Sequence, residues 1–157
     1  MYQQVNNLYA LYQKSAYALT KLHSAAALAA RVYIAQVFFS AGLTKIQDWD
    51  TTLFLFEEEY QVPFLNFELA AYLGTIGELV LPVLLFAGVF SRFSALGLSV
   101  VNVVAVVSLA DIAPAALYLH VVWGLLLAQV VIYGGGFLSL DRFLKGRLQK
   151  RKDPGIA

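Results

Sequence analysis

The sequence has no cysteine, one methionine, two histidines and few charged residues, and these shortages exclude several kinds of chemistry. Without cysteine, the chain cannot form a disulfide, bind a metal through thiolates or ligate an iron–sulfur cluster through sulfur. The single methionine is the initiator, so a methionine-rich copper path is also excluded. No phosphate-binding glycine loop, zinc motif or nucleophile triad is found. The sequence therefore contains no self-contained catalytic motif and predicts no metal site.

The composition indicates a membrane protein of one domain. Hydrophobic residues make up 60% of the 157 residues and charged residues 13%. Soluble domains average about 45–50% apolar and about 25% charged residues. The net charge of +1 gives no indication of a nucleic-acid partner, because the charges are segregated along the chain.

Four stretches are long and apolar enough to cross a bilayer, since a spanning helix needs about 20 mostly apolar residues. The sequence therefore predicts an all-α, integral membrane four-helix bundle. The expected segments are an amphipathic N-terminal segment at 1–26, a membrane domain at 27–136 with spans at 27–46, 68–90, 93–112 and 115–135, and a basic tail at 137–157.

The charges between the spans predict the orientation in the membrane. The N-terminal segment and the tail are basic, whereas the connection at 47–67 carries five acids and no base. Basic residues favour the cytoplasmic side. We therefore expect a multi-pass protein of the bacterial inner membrane with both termini in the cytoplasm and the acidic connection outside.

Two shorter segments have amphipathic or capping patterns. Residues 6–24 place apolar side chains on one face, with tyrosines suited to the headgroup region. Residues 51–60 predict a short external helix, which serves either as a lid or as a simple connector. The glycines at 134–136 are expected to end the last span, with Ser139 or Asp141 capping a helix in the tail.

Six polar residues are predicted to lie at membrane depth, where charged groups are costly and usually face the protein interior. They are Glu78, Arg31, Asn102, His120, Gln36 and Gln129. At about 1.5 Å per residue, Glu78 lies about 15 Å inward from Glu68, near the midplane, and differs in depth from Arg31 by about 8 Å.

Two interpretations of Glu78 remain open at this stage. In the first, Glu78 is ionised and forms a buried ion pair with Arg31, and Asn102 or Gln36 satisfies the remaining atoms. In the second, Glu78 is a proton-binding or ligand-binding carboxylate in a cavity between helices. An unpaired buried carboxyl can be neutral, which suits proton relay or hydrogen bonding to a quinone carbonyl.

The other polar groups have simpler expected roles. His120 is expected to form a hydrogen bond to a neighbouring helix. A charge cluster at the outer boundary consists of Lys45, Glu68 and Asp111, and Lys45 is expected to pair with Asp48, Glu68 or Asp111.

Three stretches, taken in order, resemble the DoxX family of small bacterial membrane proteins. They are "ARVYIAQVFFSAGLTKI", "VPFLNFELAAYLGTIGELVLPVLLFAGVFSRFSALGL" and "YGGGFLSLDRFL". The matching residues of the first two are Arg31, Gly42, Lys45, Pro63, Glu78, Gly88 and Arg92. The resemblance covers about residues 28–144, although "YGGGF" lacks the proline often found in the closing turn.

The resemblance implies a four-helix membrane bundle and several functions. The family takes its name from a subunit linked to thiosulfate:quinone oxidoreduction, and other members are associated with redox stress or metal-responsive peptides. We expect an inner-membrane subunit that supports a redox, quinone-linked or small-molecule and metal-stress process. It would be at most one subunit of an oxidoreductase complex, as a homo-oligomer or with other proteins.

Two alternatives belong to other functional classes. One is a proton-coupled transporter of a small solute that uses Glu78 as its proton site. The other is a structural or assembly subunit whose polar residues join helices. A cavity that reaches Glu78 favours the redox subunit or the transporter, whereas dry packing around Glu78 favours the structural subunit.

Overall fold

The protein is helical throughout its described part. The structure, a computed structural model, describes residues 2–136 and 138–152. Its helices are α1 (Tyr2–Gln47), α2 (Trp49–Glu58), α3 (Phe67–Ala87), α4 (Ser91–Val107), α5 (Pro114–Tyr133) and α6 (Leu140–Lys152). Outside these helices, the described residues form turns and one isolated β-bridge. The expected all-α class is confirmed.

Within the described residues, three helices are long and apolar enough to cross a membrane. These are α1, α3 and α5, whereas α4 is apolar but has only 17 residues. At about 1.5 Å per residue, α4 is about 26 Å long, close to the thickness of a bilayer's hydrocarbon core. The helix lengths and compositions therefore support a membrane protein.

The helix ends follow local sequence signals. The side chain of Asp48 accepts a hydrogen bond from Thr51 N at 3.0 Å and caps α2, and Asn66 caps α3 in the same way through Leu69 N at 2.9 Å. α3 ends at Gly88, which has a left-handed φ of 72° that glycine adopts without steric cost. α5 ends at Gly134, as the glycine run predicted.

The four longer helices of the membrane region pack in a closed order. α1 packs on α3, α3 on α4, α4 on α5, and α5 back on α1, while the short helix α2 rests on α3 and the end of α1. The buried hydrophobic core between them consists of Ala30, Ile34, Phe38, Leu85, Ala95, Leu98, Leu127 and Val130. Neighbouring helices run antiparallel, so the molecule has two ends with different chemistry.

We call these the α2 end and the α6 end. The α2 end contains the end of α1, all of α2, the start of α3 and the end of α4, where Tyr60 bridges to Leu109. The α6 end contains the end of α3, the start of α4, the end of α5 and the start of α6, where Asp141 N donates to Gly88 O at 2.9 Å.

Two segment boundaries differ from the sequence prediction. α1 is one helix of 46 residues, so no break separates the amphipathic segment from the first span. The junction, "SAAALAA" at 24–30, consists mainly of the strongest helix former and contains no helix breaker. α4 ends at Val107 rather than at 112, because the Ser108 carbonyl accepts a hydrogen bond from Gln61 N at 2.8 Å outside the helix. Residues 137 and 153–157 of the predicted tail lie outside the described residues.

Candidate functional site

An ion pair between a half-buried lysine and a buried glutamate joins α1 to α3 at the α2 end. The Lys45 ammonium lies 2.5 Å from Oε2 of Glu78, and the Glu78 side chain is 10% exposed. The close approach depends on Gly42, because a Cβ atom there would lie 2.9 Å from Leu79 Cγ and 3.1 Å from Glu78 Cβ. The missing side chain at position 42 thus lets α3 bring Glu78 within reach of the last turn of α1.

The ion pair lies on the wall of a cavity of about 480 Å³. Each of the helices α1 to α5 contributes to the walls, and so does the segment that follows α2. They are mainly apolar and include Phe38, Phe56, Leu73, Val101, Val104 and Trp123. The polar side chains on the walls are Lys45, Glu78, Tyr60, Ser108 and His120. Apolar walls with a few converging polar groups are typical of small-molecule sites, which measure about 300–1,000 Å³.

His120 of α5 is held by Asn102 of α4. Asn102 Nδ2 donates to the His120 carbonyl at 2.9 Å, and Asn102 Oδ1 lies 2.8 Å from His120 Nδ1. The imidazole also meets the indole of Trp123 edge to face, with 4.8 Å between the ring centroids. This is the contact to a neighbouring helix that the sequence analysis expected for His120.

α2 and the segment after it cover the cavity. Phe56, Tyr60 and Val62 line the cavity, and Thr52 Oγ1 donates to the Lys45 carbonyl at 3.0 Å. Gln61 N donates to Ser108 O, which ties the cover to the end of α4. Burial raises the pKa of Tyr60, and the charges of Glu59 and Glu78 raise it further. The Tyr60 hydroxyl therefore remains protonated and able to donate a hydrogen bond at neutral pH.

Arg31 forms a separate polar centre at the α6 end. Its side chain, 1% exposed, donates to four main-chain carbonyls: Leu85 at 2.8 Å, Phe86 at 2.6 Å, and Gly135 and Leu138 at 2.9 Å each. The last carbonyls of a helix lack partners within it and carry its negative dipole end. Arg31 satisfies two of these at the end of α3 and joins them to the segment after α5.

Two glycines provide space at the α6 end, one beside the guanidinium and one beside Ser91. A Cβ at Gly88 would lie 2.5 Å from Arg31 Nη2, and one at Gly135 would lie 2.5 Å from Ser91 Oγ. The closing glycine run therefore does more than end α5, because it lets the chain pass close to α1 and α4.

Asp141 caps α4 rather than its own helix. Its carboxylate accepts hydrogen bonds from Phe90 N, Ser91 N and Ser91 Oγ, each at 2.8 Å. Burial alone would raise the pKa of Asp141, but the bonds from Ser91 and Phe90 and the charge of Lys145 together hold it below its ordinary value. The Ser139 hydroxyl donates to Gly136 O at 2.8 Å. The sequence predicted Ser139 or Asp141 as the cap of the tail helix, and the Asp141 alternative is wrong, because this carboxylate caps α4.

The predicted Arg31–Glu78 pair is also wrong. Arg31 bonds to carbonyls at the α6 end, whereas Glu78 pairs with Lys45 at the α2 end. The expected pairing of Lys45 with Asp48, Glu68 or Asp111 is wrong for the same reason. Among the described residues, Glu68 and Asp111 are exposed, so the outer-boundary charges do not form one cluster around Lys45.

The remaining predicted residues have different environments. Asn102 is 5% exposed and occupied by His120, so it does not serve Glu78. Gln36 is exposed and lines a shallow groove with Pro82 and Phe86, and Gln129 is half-buried on α5. The sequence analysis did not predict that Tyr60 lines the cavity. A signal was present, because Tyr60 lies between the acidic end of α2 and Pro63, where the chain turns back toward α3.

The apolar helices, the ion pair between α1 and α3 and the cavity beside it define a helical membrane protein with a candidate ligand site. The chain belongs to the DoxX family, because the model of that family, described as DoxX, matches residues 26–111, more than half of the sequence. The matched range contains Arg31, Lys45, Glu78 and Asn102, whereas His120 and Asp141 lie beyond it. No match was found among curated proteins or among solved structures.

Proposed function

We propose that this DoxX protein is a four-span subunit of the bacterial inner membrane that binds a small lipophilic ligand of the quinone class. Both termini face the cytoplasm in this proposal, and the subunit acts in a redox process with partner proteins or with further copies of itself. The observation that carries the proposal is the cavity of about 480 Å³ with the Lys45–Glu78 pair on its wall.

The lining of the cavity fits a quinone head group. Apolar and aromatic walls favour a planar ring that partitions from the bilayer, and a quinone adds only a few oxygens that need partners. Lys45 uses one ammonium hydrogen for Glu78 and has two further donors for a ligand oxygen. Tyr60 lines the same cavity and adds a hydroxyl.

The redox partner would supply the electron-transfer centre. The sequence has no cysteine for an iron–sulfur cluster, and no self-contained catalytic motif was found. A membrane subunit that positions a quinone for an electron-donating partner therefore fits the composition better than a complete oxidoreductase.

One observation also supports the transporter alternative. Lys45 and Glu78 form an ionisable pair in a cavity that a short helix covers at one end of the molecule. A transporter would have to release its solute past the α6 end. At that end, Arg31 and the four carbonyls that it binds close the space between the helices. The cavity also weakens the structural-subunit alternative, which required dry packing around Glu78.

Tryptophan fluorescence can test the proposal. The chain has two tryptophans, so Trp49→Phe leaves Trp123 as the only one, on the cavity wall. Titration of this variant in nanodiscs with a short-chain benzoquinone should give saturable quenching of Trp123. Linear, non-saturating quenching would contradict a defined site.

A matched pair of substitutions provides the control. Ala105 lines the cavity, whereas Ala128 is exposed on α5. Ala105→Phe should weaken quinone binding about tenfold or more, equivalent to about 1.4 kcal/mol, while Ala128→Phe should leave it unchanged. Equal effects of the two substitutions would place the quinone outside the cavity. Circular dichroism of both variants checks that the helices remain folded.

A further inference from the structure

Asn102 fixes the hydrogen-bonding state of His120. A main-chain carbonyl can only accept, so the amide group that meets His120 O at 2.9 Å must be Nδ2. The reversed amide would place two acceptors against each other. The atom facing the imidazole at 2.8 Å is therefore Oδ1, which also can only accept. It follows that His120 Nδ1 carries a proton and donates it to Asn102.

For the neutral imidazole, the same bonds determine what the ring offers to a ligand. In a neutral imidazole with a proton on Nδ1, the other nitrogen, Nε2, has a free lone pair and accepts. Asn102 is 5% exposed and is not part of the cavity wall, whereas His120 is. Within the described part of the chain, the His120 side chain forms its hydrogen bond to Asn102 through Nδ1, and no donor meets Nε2.

We propose that His120 is a specificity-determining residue that makes the cavity select ligands with a hydroxyl donor. For the quinone class this means the reduced form, the quinol, because its O–H can donate to His120 Nε2 and a quinone carbonyl cannot. Asn102 is the positioning residue that maintains the Nδ1–H form. This inference rests on the proposed function and adds the chemical form of the ligand.

Nitrogen NMR tests the protonation of the imidazole without any ligand. The chain has two histidines, so His23→Gln leaves His120 as the only source of signals in protein labelled with ¹⁵N-histidine. The expected spectrum shows a protonated Nδ1 and an unprotonated Nε2. Asn102→Ala should convert it to a mixture of the two neutral forms. A protonated Nε2 in the otherwise unchanged protein would overturn the inference.

Paired ligands test the selectivity. The probes are a short-chain benzoquinol, kept reduced, and its dimethyl ether, which retains the ring but cannot donate. One additional hydrogen bond contributes about 0.5–1.5 kcal/mol, so the quinol should bind about twofold to twelvefold more tightly than the ether. His120→Phe should reduce this preference about twofold or more. His23→Phe, at the α6 end beside Tyr133, should leave it unchanged.

The outcomes separate this inference from the proposed function. Binding of the ether with an unchanged quinol preference in His120→Phe would overturn the role of His120 and leave the quinone-class site intact. Failure of every probe to bind the unsubstituted protein would overturn both.

Discussion

Two cations of α1 stabilise opposite ends of the molecule by different means. Arg31 and Lys45 are 14 residues apart, about 21 Å along the helix. Arg31 has a planar set of donors that reaches four carbonyls in different directions. Lys45 is a compact charge and meets one carboxylate. Each residue type therefore fits its own site and would fit the other poorly.

The ion pair predicts strong coupling between Lys45 and Glu78. Removing one partner of a buried pair typically costs about 3–5 kcal/mol, because the other charge is left alone. Lys45→Met and Glu78→Gln should each lower the free energy of unfolding in bicelles, and the double variant should lose clearly less than their sum. The control cycle of Arg31→Ala with Glu78→Ala should be additive. Coupling in the control cycle alone would contradict the observed pairing.

The carbonyl contacts of Arg31 predict that lysine cannot replace it. Lysine keeps the charge but cannot reach four carbonyls from one ammonium group. Arg31→Lys should therefore lower the free energy of unfolding by about 2–4 kcal/mol, since buried carbonyls lose their donors. Arg92 is exposed and donates from Nη2 to Ile132 O, so Arg92→Lys should cost less than about 1 kcal/mol. Equal losses in mixed-micelle unfolding would contradict this role for Arg31.

The sequence identified Glu78, Arg31 and Lys45 as important residues but paired them incorrectly. A depth estimate that starts from Glu68 assumes that α3 enters the membrane at that residue. The first turns of α3 instead pack under α2, where Ala70 and Ala71 contact Phe56. Glu78 therefore lies level with Gly42 of α1 and near Lys45. Residue counting gives distance along one helix but not the shift between two helices.

Among the elements, α4 depends on a residue from another helix. Phe90, which precedes α4, has no side-chain capping bond of its own, and Asp141 supplies the cap from the start of α6. The pattern "SLD" predicted a cap of the tail helix, whereas Asp141 caps α4. Sequence could not reveal which helix, because the partner backbone is about 50 residues away in the chain.

This cap predicts a specific dependence on pH. Because the pKa of Asp141 is lowered in the folded protein, its stabilisation is present above the ordinary aspartate pKa of 3.8 and is lost as the pH falls through the lowered value. Asp141→Asn should cost about 1–2 kcal/mol at neutral pH. It should also flatten the acid slope of stability, measured by reversible unfolding in mixed micelles. Asp50→Asn, at an exposed site, should keep the slope, and a parallel loss there would argue against the cap.

At the scale of the whole molecule, the segregation of charge predicts the orientation. The chain has no cysteine, so single cysteines at positions 57 and 150 can be labelled selectively. Position 57 should react with an impermeant maleimide in intact cells, and position 150 should react only after permeabilisation. Reaction of position 150 in intact cells would overturn the proposed topology and would place the cavity cover on the cytoplasmic side.

The central claim is that the cavity beside Lys45 and Glu78 holds a lipophilic ligand of the quinone class. Native mass spectrometry of the gently solubilised protein measures bound quinone, lipid and protein partners together. We predict one bound quinone-class molecule per chain, retained in Ala128→Phe and depleted in Ala105→Phe. Phospholipid alone, or equal quinone in both variants, would contradict the account.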